Sequence, residues 1–270
     1  MRYQKIGDIV FFADTDLPAN ELKKISQIKN VLYAGATRHR EYDFGSYKRA
    51  YLWATENLDL SKYDWVYLVN DSVYGPLNDL QPVVTRLENS GADLIGMAAN
   101  RDEYTPLHVQ SWFVGFNRAI FGSEFFDKFM RGIKHIPNKM HLVLKYEVGL
   151  TAMIMRHGFK MQVVLDADSN DLYSNPRHSL IMGVPFIKKT ATPLICDFGF
   201  LAPHMDDEIL LDKIQAHMQR HGMVLARDNY RTIYELRLFG LRLIRVLSKD
   251  SRYYKVCVFG NIPVLKIIKE

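Results

Sequence analysis

Residues Trp65–Pro76 read WVYLVNDSVYGP and decide how the first half of the chain folds. Trp65–Val69 is an uninterrupted apolar run, which is typical of a strand buried inside a sheet. The run ends at the tripeptide NDS (residues 70–72), and the Gly-Pro pair that follows predicts a turn. Open α/β sheets bind their ligands outside the carboxyl ends of such strands. Asp71 is therefore the first candidate for a ligand-binding residue, and the alternative is an Asp that only stabilises a turn.

Apolar runs and helical segments alternate on both sides of this strand. Such an alternation predicts an α/β domain with a mostly parallel sheet, flanked by helices on both faces. The first half is predicted to contain strands at 8–13, 30–35, 64–69 and 93–97 and helices at 20–28, 46–57 and 79–89. The second half is predicted to contain strands at 110–117 and 160–165 and helices at 123–132, 145–157 and 208–221.

Composition limits the classes of protein to which the chain can belong. Apolar residues make up 48% and charged residues 24% of the 270, as in ordinary globular proteins. The sequence contains no uncharged apolar stretch long enough to span a bilayer, and its first residues lack the apolar core of a signal peptide. The two cysteines, Cys196 and Cys257, do not have the spacing of a metal or redox motif. We therefore expect a cytoplasmic location.

Positive charge is concentrated at the C-terminal end of the sequence. Residues 230–270 contain nine Lys or Arg and three acids, a net +6, whereas the remainder carries −1. We predict a main domain at 1–229 and a basic amphipathic helical tail at 230–270, with arginines along one side of Tyr234–Lys249. Such a helix either packs on the main domain or lies on anionic lipid at the inner face of the cell membrane. The tail lacks interleaved base-stacking residues, so nucleic acid is not the expected partner.

Two literal D-x-D patterns, at 14–16 and 166–168, compete with Asp71 as the site of a divalent cation. Carboxylates at strand ends can hold Mg²⁺ or Mn²⁺ together with substrate phosphates. The position of Asp71 after the central strand favours it as the metal ligand. Asp14 follows the first strand, where an acid can instead bond a ribose or a base. For Asp166 a polar turn is the better interpretation.

The mixed-charge segment Arg40–Gly45 (REYDFG) precedes a predicted helix. It either caps that helix at Ser46, with Gly45 providing conformational freedom, or approaches a nucleotide with Arg40 as a phosphate partner. Glu147 stands near the start of another predicted helix, where the helix dipole favours an acid. A carboxylate beside a sugar site can also act as a general base.

His108, Gln110 and Trp112 combine hydrogen-bonding groups with an aromatic ring in one short segment. Sugars present hydroxyl edges and apolar C–H faces, so this mixture suits an acceptor-binding surface. The alternative is a buried strand whose histidine has its partners inside the protein.

Taken in order, these motifs resemble those of the rhamnan synthesis F family, whose members are glycosyltransferases. The resemblance covers roughly residues 5–190, and NDSVYGP with PFIK is its most specific combination. The matching pieces are residues 40–45, 69–76 (VNDSVYGP), 108–113 (HVQSWF), 146–151 (YEVGLT) and 183–188 (GVPFIK).

The resemblance implies a GT-A-like fold, with a nucleotide-binding sheet followed by an acceptor-binding half. It implies that Asp71 binds the metal and the donor diphosphate, and that Glu147 is the general base of an inverting transfer. Donor contacts are expected from Asp14, Arg40, Asp43, Gly45 and Asn70, and acceptor contacts from His108, Gln110 and Trp112. The implied donor is dTDP-rhamnose, the cofactor Mg²⁺ or Mn²⁺, and the acceptor a lipid-linked glycan. The segment 70–72 has one acid where many GT-A enzymes have two.

Two functions other than glycosyl transfer agree with parts of the sequence. A non-catalytic glycan-binding or scaffold subunit of the same assembly would keep the sheet but would not bind nucleotide. A basic-tailed nucleic-acid-binding protein would need a long basic groove, which the near-neutral body of the chain does not suggest.

Overall fold

A computed structural model describes residues 3, 6–101, 105–166, 173, 175–194, 204–205, 208–220, 231–238, 241–250, 253–258 and 262–268. The chain divides into two compact units, of which the first comprises 1–189 with 204–206 and the second 190–203 with 207–270. The boundary that we predicted between residues 229 and 230 lies in a segment, 221–230, outside the described residues. That boundary therefore stays a prediction.

The first unit is an α/β domain, as the sequence predicts, with a sheet flanked by helices. Its strands are β1 (Ile9–Ala13), β2 (Val31–Ala36), β3 (Trp65–Val69), β4 (Val73–Tyr74), β5 (Leu94–Asn100), β6 (His108–Val109), β7 (Phe113–Asn117), β8 (Met161–Leu165) and β9 (Ile187–Lys188). Its α-helices are α1 (Ala19–Ser26), α2 (Tyr42–Asn57), α3 (Gln81–Glu88), α4 (Arg118–Phe121), α5 (Glu124–Arg131), α6 (Lys139–Leu142), α7 (Gly149–Arg156) and α8 (Pro176–Ile181).

The central sheet is mixed, which corrects the prediction of a mostly parallel sheet. β7 runs antiparallel between β3 and β5, whereas β8 pairs in parallel with the other edge of β5. Among the described strands β3 is therefore at an edge of this sheet, which corrects the prediction that Asp71 follows the central strand. β6 pairs antiparallel with the end of β5, and β1 and β2 form a separate parallel pair. The antiparallel strand arises because no helix separates β5 from β7 among the described residues of their connection. Two neighbouring strands that are joined without a crossover helix run in opposite directions.

β3 supports the domain by burying side chains on both faces of the sheet. Val66 and Leu68 pack into one core with Phe44 and Phe116, whereas Trp65, Tyr67 and Val69 pack into the opposite core. This alternation is the two-residue period of a strand. Leu68 is buried and the other four side chains are partly buried, and a fully buried aliphatic side chain contributes roughly 1.5–3 kcal/mol. The end of β3 is consequently a rigid place from which to present polar groups.

A short ladder between β4 and β9 fixes the segment that follows the end of β3. Val73 pairs with Lys188, and the amide of Lys189 donates to the carbonyl of Ser72 at 3.0 Å. Gly75 has a φ of 138°, and a Cβ there would lie 2.6 Å from the ring of Phe186. Only glycine fits this position without strain. The VYGP and PFIK motifs are therefore two sides of one ladder.

The second unit contains α9 (Glu208–Arg220) and four strands instead of the helical tail that we predicted. β10 (Arg231–Leu238), β11 (Leu241–Asp250), β12 (Tyr253–Val258) and β13 (Ile262–Ile268) form an antiparallel sheet in chain order. The helix prediction was wrong because it followed the spacing of the arginines. The segment is rich in Ile, Val and Tyr, which favour strands, and the strands are separated by only two or three residues, a spacing typical of hairpins. Within the described part of the chain, no helix is both long and apolar enough to cross a membrane.

Candidate functional site

Asn70 connects three elements at the carboxyl end of β3. Its backbone N–H donates to the carbonyl of Trp112 at 3.1 Å, next to β7. Its side-chain amide donates to Oδ2 of Asp43 at 2.8 Å, and its amide oxygen accepts the backbone N–H of Ser72 at 3.0 Å. The amide thus fixes the orientation of a carboxylate from α2 and the turn after β3.

Asp14 anchors the entry to α2. Its carboxylate accepts backbone N–H groups from His39 at 2.7 Å, Arg40 at 2.8 Å and Tyr42 at 3.1 Å. Burial raises the pKa of Asp14, but these donors and the nearby His39 ring outweigh it and lower that pKa overall. The oxygens expected to bond the nucleotide are therefore engaged with the backbone of residues 39–42. In this structure Asp14 has the role of a helix anchor, and its predicted contact with the donor stays a prediction.

The helix that we expected to begin at Ser46 begins at Tyr42, so Asp43 and Gly45 lie in its first turn. A Cβ on Gly45 would lie 2.6 Å from Nδ1 of His39, so the glycine allows the histidine ring to pack against the helix. Arg40 is exposed, with a φ of 59°, and its carbonyl accepts a hydrogen bond from the His135 ring at 2.6 Å. The segment therefore shapes the edge of the site, and a contact between Arg40 and phosphate stays a prediction.

Asp43 points from α2 toward the end of β3. Burial raises the pKa of Asp43, and the negative charge of Glu147 raises it further, against the hydrogen bond from Asn70. The Glu147 carboxylate, from a distant part of the sequence, is thus close enough to influence the ionisation of Asp43. Tyr47, one turn along α2, donates its hydroxyl to the carbonyl of Ser111 at 2.7 Å.

Glu147 lies in a π-helical segment, Val143–Val148, that continues from α6 and leads directly into α7. It is therefore in the middle of a helical stretch and not at a helix N-terminus, which removes the helix-dipole explanation for this acid. π-helical turns are rare and are found frequently at functional sites. The Ser111 hydroxyl donates to Oε2 of Glu147 at 2.7 Å, and Nε2 of His108 lies 3.5 Å from Oε1.

His108 is held in one orientation by its other ring nitrogen. Nδ1 lies 2.8 Å from the carbonyl oxygen of Pro106 and must donate to it, because a carbonyl only accepts. This leaves Nε2 directed at Glu147. The His108 side chain is buried, so in this structure it acts on Glu147 and does not present a surface to a sugar.

Gln110 and Trp112 are also buried, which favours the second interpretation of this segment over an exposed sugar-binding strip. The indole N–H of Trp112 donates to Oε1 of Gln110 at 2.7 Å, and Tyr173 donates to the same oxygen at 3.1 Å. The Trp112 ring packs edge-on against Phe186. All residues from His108 to Phe116 are buried, so this segment is enclosed on both faces and offers no exposed strip.

Lys188 is the site residue that sequence reasoning missed. Its ammonium donates to the Ser72 hydroxyl at 3.0 Å and lies 5.5 Å from the centre of the Trp112 ring. Burial lowers the pKa of Lys188 to about 8, and Lys139 lowers it too, whereas Glu147 and Asp43 raise it. Lys188 is the last residue of the PFIK motif, one of the pieces that carry the family resemblance. The motif therefore pointed to this lysine, but its sequence alone indicates no role for it.

Asp71 stands apart from the other carboxylates, on the outside of the site. Its side chain is 99% exposed, and Oδ2 pairs with the ammonium of Lys189 at 3.1 Å. Mg²⁺ needs about six oxygen ligands and is held by one or two carboxylates together with phosphates and water. Here the single carboxylate is already paired with one ammonium, and a second ammonium contacts the adjacent Ser72. The residues present therefore fit a divalent cation poorly, and the described residues contain no cluster of three potential metal ligands.

Apart from the buried Gln110 and Trp112, the structure sorts the predicted residues into three groups. Asp43, Asn70, Glu147 and His108 form one polar cluster, together with Ser111 and Lys188. Asp14, Arg40 and Gly45 shape the approach to α2, and Asp71 lies at the exposed edge. Of the competing pattern at 166–168, Asp166 follows β8, and 167–168 lie outside the described residues. The cluster combines a positioned carboxylate with an ammonium, which can respectively accept a proton and stabilise an anion.

Comparison with known proteins identifies the family. The sequence profile of a family described as rhamnan synthesis protein F matches residues 9–231. The chain belongs to this family. The match covers most of the chain and confirms the resemblance drawn from the five motifs. Membership implies a part in rhamnan polysaccharide synthesis.

One curated relative is the uncharacterized protein y4gN of Sinorhizobium fredii (strain NBRC 101917 / NGR234), which is 27% identical over 120 residues. The match covers 44% of this chain and 31% of that protein, so the chain spans about a third of its length. The name of the relative states no activity, and the chemistry must be argued from the site.

Proposed function

We propose that the protein is a glycosyltransferase of surface polysaccharide synthesis, which moves rhamnose from dTDP-rhamnose to a growing, lipid-linked glycan. The observation that carries the proposal is the position of Glu147. Its carboxylate is oriented by the hydrogen bond from Ser111, faces Nε2 of His108 and lies near Asp43 and Lys188. The family match supports the polysaccharide context.

In the proposed reaction Glu147 is the general base. It accepts the proton of an acceptor hydroxyl while the acceptor oxygen forms a bond to C1 of the donor sugar. The bond between C1 and the diphosphate oxygen breaks, and its electron pair leaves with the diphosphate. Attack from the side opposite the leaving group inverts the configuration at C1. A positioned base of this kind typically contributes roughly 10² to 10⁴ in rate.

The cluster around Asn70 is the proposed donor site. Asp43 and Asn70 would contact the sugar or ribose hydroxyls. Asn70 follows β3, Asp43 points toward it from α2, and a hydrogen bond between them fixes both side chains. Arg40, exposed at the entry to α2, would approach a phosphate from outside. The acceptor would reach Glu147 from the side not covered by Ser111.

A transfer assay tests the proposal. The full chain is incubated with dTDP-rhamnose and lipid-linked glycan acceptors, and release of dTDP is measured against formation of the extended glycan. Thermal shifts with a panel of nucleotide sugars serve as a second readout, because ligand binding to the native state raises stability. Glycan binding without any shift by nucleotide sugars would instead indicate a non-catalytic glycan-binding subunit.

Anionic lipid at the inner face of the membrane is the proposed place of action. The amphipathic helix predicted at Tyr234–Lys249 is not formed, because this segment lies in β10 and β11. The nine basic residues of 230–270 can nevertheless interact with an anionic surface. Each basic residue near an anionic surface contributes roughly 1 kcal/mol. Co-sedimentation with vesicles with and without phosphatidylserine tests this, and equal binding to both would refute it.

A further inference from the structure

Two consecutive lysines lie beside the turn that follows β3. The β4–β9 ladder pairs Val73 with Lys188, and the amide of Lys189 bonds the carbonyl of Ser72. The ammonium groups then contact adjacent residues of the turn, Lys188 at the Ser72 hydroxyl and Lys189 at the carboxylate of Asp71. Backbone pairing therefore places two positive charges at the strand end where a ligand is expected.

Lys188 is a buried cation whose hydrogen bonds are incompletely used. The residue is 9% exposed, and its ammonium has three N–H donors, of which one bonds Ser72. The rings of Trp112 and Tyr173 lie at 5.5 and 5.7 Å from the nitrogen. Within the described residues no carboxylate forms a direct ion pair with it. Burying a charge without such a partner is costly, and an anion bound beside the ammonium would offset that cost.

Lys189 is positioned to exchange partners. Its ammonium pairs with Asp71 at 3.1 Å, and the Asp71 side chain is 99% exposed. An ion pair with so exposed a carboxylate contributes little to stability. A phosphate oxygen that arrives at the turn can therefore replace Asp71 with little loss. The Ser72 hydroxyl, which accepts from Lys188, keeps its own proton to donate.

We propose that Lys188, Lys189 and the Ser72 hydroxyl bind the diphosphate of the donor directly and stabilise its charge as it leaves, without a divalent cation. This inference rests on the proposed function. The lysines donate hydrogen bonds to diphosphate oxygens and transfer no proton, while the electron pair of the broken C1–O bond stays on the diphosphate. Oriented positive groups at developing charge are effective because they need no rearrangement during the reaction.

The electrostatics of Lys188 agree with an anion site. Burial, with the charge of Lys139, lowers the pKa of Lys188 to about 8, although Glu147 and Asp43 act in the opposite direction. A bound diphosphate adds negative charge near the ammonium and favours its charged form. Binding of the anion and protonation of the lysine therefore support each other.

Calorimetric titration with pyrophosphate and with dTDP, in EDTA at pH 7, tests the inference on the full chain. We expect both ligands to bind the wild type. Lys188→Met and Lys189→Met should each weaken binding at least about tenfold, since each variant loses a hydrogen bond between two charged groups. Lys62→Met is the matched control, because Lys62 is far in sequence from Lys188 and Lys189 and its side chain is 77% exposed. The affinity of the Lys62→Met variant for pyrophosphate and dTDP should stay within about twofold of the wild-type affinity. Thermal unfolding of each variant confirms that it is folded.

The outcomes separate this inference from the proposed function. Binding that appears only with Mg²⁺ or Mn²⁺ and is lost in Asp71→Asn overturns the lysine site and leaves glycosyl transfer standing. Absence of binding with and without metal overturns the lysine site too, as does equal weakening by Lys62→Met. Metal-free binding that needs both lysines, in a protein that transfers no sugar, supports the anion site and contradicts the glycosyltransferase.

Discussion

The hydroxyl of Ser111 donates a 2.7 Å hydrogen bond to Oε2 of Glu147. The two residues are 36 positions apart, one entering β7 and the other in the π-helical segment. The bond joins the central sheet to the helix that carries the proposed base. It also fixes which oxygen is engaged, so that Oε1 faces His108.

Glu147→Gln should lower kcat by roughly 10² to 10⁴ and leave binding of the donor nearly unchanged, because a general base acts on the chemical step. Glu56→Gln, on the exposed side of α2, is the matched control and should behave as wild type. Steady-state kinetics and dTDP titration measure the two effects separately. Lost dTDP binding with an unchanged rate at saturation would make Glu147 a donor ligand.

Ser111→Ala should reduce kcat by about 10- to 100-fold, since a hydrogen bond to a charged group is worth about 1.5–3 kcal/mol. Ser111 is a positioning residue, so its effect should depend on the carboxylate that it holds. In a Glu147→Gln background the same substitution should therefore cost much less. Equal losses in both backgrounds, measured as a double-mutant cycle, would mean that Ser111 acts on the fold and not on Glu147.

Asp14→Ala should destabilise the first unit by about 1–3 kcal/mol, because three backbone N–H groups lose their acceptor. The pKa of Asp14 is below its ordinary value of 3.8 in the folded protein. Its contribution is therefore present at neutral pH and is lost as the pH falls through the folded-state pKa. Urea unfolding at pH 7 and at pH 3 measures this. Asp16→Ala, which removes a single 3.2 Å acceptor for Arg38, is the control and should cost less; an equal cost would contradict the anchoring role.

Lys188→Met should raise the free energy of unfolding at pH 7 although it weakens anion binding. The folded-state pKa of Lys188 is about 8, against an ordinary 10.5, so the folded protein resists the charged form by about 3 kcal/mol. This cost is fully present below pH 8 and fades as the pH rises toward 10.5, because the unfolded chain then also loses the proton. The stability gap between variant and wild type should accordingly narrow above pH 8. If the difference in free energy of unfolding does not change with pH, the charge on the Lys188 ammonium is not its cause.

Local patterns predicted the elements of the first unit well, because β3 is an uninterrupted apolar run and helices such as α5 have clear apolar periodicity. They also predicted that Asp43, Asn70 and Glu147 carry function, and the structure brings these three together. The direction of β7 was not predictable, since pairing depends on contacts distant in sequence. Nor was the role of Lys188, whose burial results from a ladder between residues more than a hundred positions apart. The C-terminal strands were missed because regularly spaced arginines were given more weight than β-branched residues.

The π-helical segment at Val143–Val148 has a consequence for how the chain tolerates insertions and deletions. A π-turn holds one residue more than an α-turn, so this is a place where a single residue can be removed without disturbing the phase of α6 relative to α7. A deletion at Leu144, on the partly exposed side, would let the stretch close into a regular α-helix. Neighbouring side chains would then turn by about 100° around the helix axis. The number of residues in the π-helical segment, and not only their identity, thus sets the direction in which the carboxylate of Glu147 points.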